Sequence, residues 1–224
     1  MAEQTPAFAN IKTPPSLREI AYQAIKDSII SLKLKQDAVY SEQAVARELG
    51  ISKTPVHQAL TDLENKKFVK LLPRKGFVLN VLTEKEIRNL FEYRMALEQT
   101  VICHITPRLK DESVRKIEII NEKASNSEDR LGFQKYDRAF HHYMSSLTEN
   151  HFIIDALENI WDLCSWIGAQ NLSIKDRWRE AVKEHKHVAK MLKKRDLTGA
   201  LDAMKKHLCI TEEKFINQVI KSKS

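Results

Sequence analysis

Four residues in the second half of the chain could together hold a metal ion. In YDRAFHHYM, Asp137 and His141 stand four apart, on one face of a helix. KEHKHVAKML carries His185, and MKKHL carries His207, about one antiparallel helical hairpin further on. Three imidazoles and a carboxylate make an N3O set that suits a divalent transition metal. Side chains facing the core of a helical bundle are one way to assemble such a site. The spacing leaves the plainer alternative open, because helical proteins contain many i,i+4 Asp/His pairs and this chain has eight histidines. Asp137 and His141 lie beside the apolar stripe of Phe140, Met144 and Leu147, where a carboxylate needs a partner to offset its desolvation. Arg94, in EYRMALE, has Glu98 four positions on. It is either half of a surface ion pair or a guanidinium facing the bundle interior, able to grip a carboxylate through two N–H groups.

The elements that must position these residues are helices. The 224-residue chain has only five glycines and six prolines, poor material for a turn-rich β protein. An apolar share of 42% supports a buried core. From TEKE (83–86), a capping box, Ile87, Leu90, Phe91, Met95, Leu97 and Val101 mark a long amphipathic helix ending near Pro107. Further helices are expected at about 111–126, 130–148, 151–171, 176–195 and 197–221, with Asn150 and Asp196 as start caps. Residues 83–221 thus read as an all-α antiparallel bundle of about six helices.

Residues 16–82 read differently, after a loose, proline-marked segment over 1–15. Ile20, Ala21, Ala24, Ile25 and Ile29 recur at helical spacing. A short helix follows the N-cap Ser41, buries Ala44, Val45 and Leu49, and stops at Gly50. Ser52 caps the next helix, with Pro55 in its first turn and Val56, Ala59, Leu60 and Leu63 inward. FVKLL and GFVLNV then read as two strands of a hairpin. This order of elements is that of a winged helix-turn-helix. Ser52, Lys53, Thr54 and His57 lie on the first turns of the third helix, where bases and phosphates come within reach, and Gln43 opens the helix before it. Arg74, Lys75 and Gly76 form the tip of the wing. The first 82 residues hold 12 Lys/Arg against 8 Asp/Glu, and KKFVKLLPRK carries five basic residues without an acid, an electrostatic footprint for phosphate.

Taken together these motifs resemble the GntR family of bacterial transcription regulators, in the FadR branch with an FCD-type ligand-binding domain. SKTPVHQAL is close to the family's S-R-T-P-V-R-E-A-L, and R-K-G at 74–76 also matches. Arg94–Glu98, Asp137–His141, Glu184–His185 and His207–Leu208 fall in the family's order and spacing. The resemblance implies a homodimer on a pseudo-palindromic double-stranded DNA operator. It implies a metal held by Asp137, His141, His185 and His207, with zinc first and nickel or manganese as alternatives. It also implies a carboxylate-bearing effector near Arg94, and repression as the commoner mode. Two departures stand out. The family's two recognition-helix arginines are here Lys53 and His57, and after Glu98 the chain reads QTVICHITP where relatives commonly run on with alanines.

Competing readings are a metalloenzyme using the same His3Asp set, or a metal-free regulator responding to an acyl ligand. No paired general base, nucleophile motif or cofactor loop supports catalysis, so the expectation is not an enzyme. No run of 18 apolar residues and no signal peptide is present, and Cys103, Cys164 and Cys209 lack CxxC pairing. A cytoplasmic protein with three reduced core cysteines, away from membranes, is expected.

Overall fold

The computed structural model describes residues 14–169 and 175–221. The expectation for residues 1–13, and the end of the helix expected to run to 171, lie outside the described residues. The chain divides into two compact units that change over at Asn80 and Val81.

The first unit holds α1 (Leu17–Ile30), α2 (Glu42–Leu49), α3 (Lys53–Asn65) and a hairpin of β1 (Val69–Leu72) and β2 (Gly76–Leu79). Ala21, Ile25 and Ile29 bury one face of α1, while Ile20 lies outside it, 45% exposed. On α2 the buried residue is Ala46, and Ala44 is exposed. The inward face is therefore Val45, Ala46 and Leu49, one position round from the expected one. Gly50 takes the left-handed conformation that closes α2, with φ 67°. Ser41 and Ser52 occupy N-cap positions in extended backbone, but neither side chain makes the capping bond. Both hydroxyl-bearing residues stay at the surface.

Val69 pairs with Leu79 and Leu72 with Gly76 in the antiparallel hairpin. A connection absent from the sequence reading extends it: Tyr40 and Phe77 exchange backbone hydrogen bonds of 2.8 and 2.9 Å. Gly76 is the residue that permits this approach. Its φ is 120°, and a Cβ there would lie 2.0 Å from the Tyr40 carbonyl oxygen.

The second unit is a six-helix bundle: α4 (Glu84–Ile105), α5 (Asp111–Ser125), α6 (Arg130–Ser146), α7 (His151–Ala169), α8 (Lys175–Lys193) and α9 (Leu197–Lys221). The Thr83 hydroxyl accepts from Glu86 N–H and the Glu86 carboxylate accepts from Thr83 N–H, completing the expected capping box. Pro107 falls in a 3-10 turn, Thr106–Arg108, after α4. Asn150 and Asp196 cap α7 and α9 as expected, each accepting from backbone N–H groups two or three residues on. Asp129 caps α6 through Gly132 N–H.

α9 packs along both α4 and α8, and α5 along α6 and α8. Val101, Ile102, Ile117, Phe140, Met144, Ile160, Trp161, Val188, Leu192, Met204 and Leu208 form the shared core. The cysteines are unpaired, and contrary to expectation Cys103 and Cys209 are exposed. Each follows an inward residue (Ile102, Leu208), so the helical turn of about 100° per residue carries it to the outer face. Among the described residues no helix is long and apolar enough to cross a membrane.

Candidate functional site

Three helices bring His141, His185 and His207 to the bundle centre. Each lies on the inward stripe of its helix, beside Phe140 and Met144 on α6, Val188 on α8, and Met204 and Leu208 on α9. All three are buried, and one ligand atom from each lies within 4.8 Å of the other two. His185 Nε2 and His207 Nε2 are 3.3 Å apart. Asp137 is half-buried, its Oδ1 3.7 Å from His185 Nε2. Two ligands held roughly 2.0–2.1 Å from one tetrahedral zinc stand about 3.4 Å apart, which the His185–His207 separation matches and the Asp137–His185 separation approaches.

The proton positions support the same use. His207 Nδ1 lies 2.7 Å from the Glu184 carboxylate. That carboxylate also accepts two bonds from the Arg177 guanidinium, at 2.8 and 2.7 Å. Nδ1 is therefore the protonated nitrogen of a neutral His207, and its Nε2 lone pair faces the cluster. His141 is set the same way. Its Nδ1 donates to Glu98 at 2.7 Å, while its Nε2 accepts from Arg94 at 3.1 Å, since a guanidinium only donates. Carboxylates behind imidazoles in this manner fix ring orientation and raise ligand basicity. His185 Nδ1 is buried with no partner among the described residues. Its ring is held instead by stacking on Phe140, with centroids 4.0 Å apart.

Arg94 is no surface ion pair. It is 3% exposed and Glu98 2%. Its Nε donates to Glu98 at 2.9 Å and another nitrogen reaches Cys164 Sγ at 3.7 Å. Burial opposes charge on both partners, but it is outweighed on Glu98 by His141 and Arg94 together, and on Arg94 chiefly by Glu98. Glu98, which also accepts from His141, is held well below the usual carboxylate range, and Arg94 titrates higher than a free guanidinium. Burial moves Asp137 the other way, upward, against the attraction of His141, Arg94 and Arg177. The sequence reading used Glu98 only as an ion-pair partner and left Glu184 without a role. The Glu184–His185 pair was visible in the sequence, but the histidine that Glu184 serves is His207.

Burial pushes His185 and His207 well below the ordinary imidazole value, and neighbouring positive groups add to it. Both are neutral at pH 7. An unfolded chain takes up a proton on each near pH 6.5, which the folded bundle refuses, so acid favours unfolding. Between about pH 7.5 and 5.5 the metal-free protein should lose roughly 2–3 kcal/mol of stability from the two histidines. The raised Asp137 has the opposite sign and offsets this only where its folded form takes up a proton. Denaturant titrations of chelator-treated protein at the two pH values measure it, and equal stability at both would refute the neutral assignment.

On the first unit, Ser52, Lys53, Thr54 and His57 are exposed around the start of α3, and Gln43 is exposed in the first turn of α2. Arg74 and Lys75 are exposed at the hairpin tip. Gly76 is half-buried, and its conformation answers to Tyr40. Glu42, the first residue of α2, lies against two of these residues. Its carboxylate lies 3.0 Å from His57 Nδ1 and 3.2 Å from Lys53 Nζ.

A helix-turn-helix with a basic wing, joined in one chain to a helical bundle with a polar centre, defines a two-part DNA-binding regulator. Residues 17–79 match the bacterial regulatory proteins of the gntR family, and residues 89–209 match the FCD domain. The chain belongs to the GntR family of transcription regulators and carries an FCD effector domain. It is 22% identical over 183 residues to the HTH-type transcriptional regulator YdhC of Bacillus subtilis, covering 80% of this chain and 82% of that one. It is 30% identical over 148 residues to the gluconate operon transcriptional repressor of Bacillus subtilis, covering 64% of this chain and 58% of that one. Escherichia coli McbR/YncC shares the fold with a TM-score of 0.77 at 17% identity, over 92% of this chain and 99% of that one. The two Bacillus subtilis relatives are named as regulators of transcription, and this chain is a regulator rather than an enzyme.

Proposed function

We propose that this chain is a cytoplasmic, metabolite-responsive repressor of the FadR branch, acting as a homodimer on a pseudo-palindromic operator. Its effector site is built on a divalent metal in the bundle. The convergence of three buried imidazoles, two of them backed by carboxylates, carries the reading. Asp137, His141, His185 and His207 would hold the ion, zinc first, with nickel and manganese also suited to an N3O set. When bound, the metal supplies Lewis-acid sites for carboxylate or hydroxyl oxygens of an organic acid.

Arg94 has a defined part in this. Arg94 contacts the His141 Nε2 lone pair that a metal ligand would use, and its Nε is held by Glu98. With His141 serving as a ligand, one edge of the guanidinium would be available to an effector carboxylate. Effector binding then alters operator affinity through a coupling free energy, typically about 1–3 kcal/mol or 5- to 150-fold. The gluconate operon transcriptional repressor among the relatives supports repression.

Gln43, Ser52, Lys53, Thr54 and His57 would enter the major groove, with Arg74, Lys75 and Gly76 along the neighbouring backbone. Selection of bound fragments from sheared source DNA at about 0.15 M salt tests this. A recovered palindrome, bound more weakly as salt rises through counterion release, is expected. Absence of any enriched sequence would overturn the operator reading.

A further inference from the structure

The Glu42 carboxylate sits between two of the residues assigned to the major groove. It is 13% exposed, whereas the His57 and Lys53 side chains it touches are 57% and 58% exposed. Glu42 is the first residue of α2, so the backbone of that short helix fixes its position against the start of α3. Although burial pushes its carboxyl up, hydrogen bonds from His57 and Lys53 outweigh this and keep it below the ordinary value. An ionised carboxylate can only accept, so the 3.0 Å contact requires the proton on His57 Nδ1. In the neutral ring Nε2 is then bare. It is an acceptor, where the arginine of related recognition helices is a donor.

The major groove responds to that difference. Guanine presents only acceptors there, O6 and N7, whereas adenine N6 and cytosine N4 are donors. We infer that Glu42 is a specificity-determining residue: by accepting the Nδ1 proton of His57 it makes the imidazole read an exocyclic amine, adenine or cytosine, in place of guanine. Lys53 keeps two further N–H donors beyond the one given to Glu42, so its position can still take guanine or phosphate. The inference rests on the reading of α3 as the recognition helix.

The test uses the full chain and a randomised duplex library at about pH 8.5, where imidazole is neutral. Wild type, His57→Ala, Glu42→Ala and Lys53→Ala are compared. Helical circular dichroism confirms that each variant is folded. In the wild-type motif one position per half-site should prefer adenine or cytosine over guanine by roughly 5- to 10-fold, a single good contact's worth. His57→Ala should flatten that position alone. Glu42→Ala should let guanine in at the same position, because Nε2 is then free to carry the proton, with the rest of the motif unchanged. Lys53→Ala should alter a different position or only overall affinity.

A wild-type motif with guanine at the His57-dependent position overturns the inference while leaving the operator reading intact. So does a Glu42→Ala preference identical to wild type, or a His57→Ala motif with no single altered position. No enriched motif with the wild-type chain overturns both.

Discussion

Replacing His207 with alanine should leave a folded, DNA-binding protein that no longer retains metal or answers to its effector. The ring is buried, and its Nε2 stands 3.3 Å from that of His185, so it is central to the proposed ligand set. Its removal does not orphan a charge, because Glu184 keeps both bonds to Arg177. Changes behind a ligand typically cost 10- to 100-fold in metal affinity, so loss of a ligand itself should cost at least about 100-fold. Wild-type protein loaded with zinc and passed through a desalting column should carry about one ion per chain, and His207→Ala under a tenth of that. Non-specific DNA binding at low salt should stay within about twofold, since it depends on the basic surface of the other unit. Glu184→Gln should fall between, as it removes only the anionic partner of Nδ1. A His207→Ala protein with full zinc content, or with an intact effector response, would remove the metal from the proposed mechanism.

Glu98→Ala should be among the most destabilising single changes in the bundle. Glu98 accepts from three groups drawn from three helices: Arg94 Nε at 2.9 Å, His141 Nδ1 at 2.7 Å and Trp161 Nε1 at 3.4 Å. Its loss leaves the Arg94 guanidinium buried without its carboxylate partner, beside the Cys164 sulfur and the His141 lone pair. Breaking a buried pair on one side typically costs about 3–5 kcal/mol. For a unit of this size that corresponds to a fall in Tm of roughly 6–20 °C. The double replacement Arg94→Met/Glu98→Met should cost less than Glu98→Ala alone, because no buried charge is left unpaired. Thermal melts followed by far-UV circular dichroism distinguish these outcomes. A Glu98→Ala loss below about 1 kcal/mol would show that Arg94 finds another counter-charge.

These two residues also mark where sequence reading stops. Thr83–Glu86, Gly50, Asn150 and Asp196 act within a turn of their own position, so the ends of their helices could be read from residue type alone. The periodic apolar residues settled which faces turn inward, apart from Ile20 on α1 and the one-position error on α2, where alanines on both faces blur the stripe. Asp137 and His141 share a face because four residues make about one turn. From these local signals the sequence determined a winged helix-turn-helix, a helical bundle and a set of candidate ligands.

Which nitrogen of each imidazole faces the centre depends on contacts made far along the chain. Glu98 and His141 are 43 residues apart, and Trp161 comes from another helix again. Glu184 adjoins His185 in sequence, yet it serves His207, because a helix turns adjacent side chains about 100° apart and α9 packs on the side that Glu184 faces. The backbone exchange between Tyr40 and Phe77, and the grip of Glu42 on His57, are likewise pairings across space. Only the tertiary structure decided these, because helix rotation and packing, which no local pattern encodes, set the direction of every polar atom at the site.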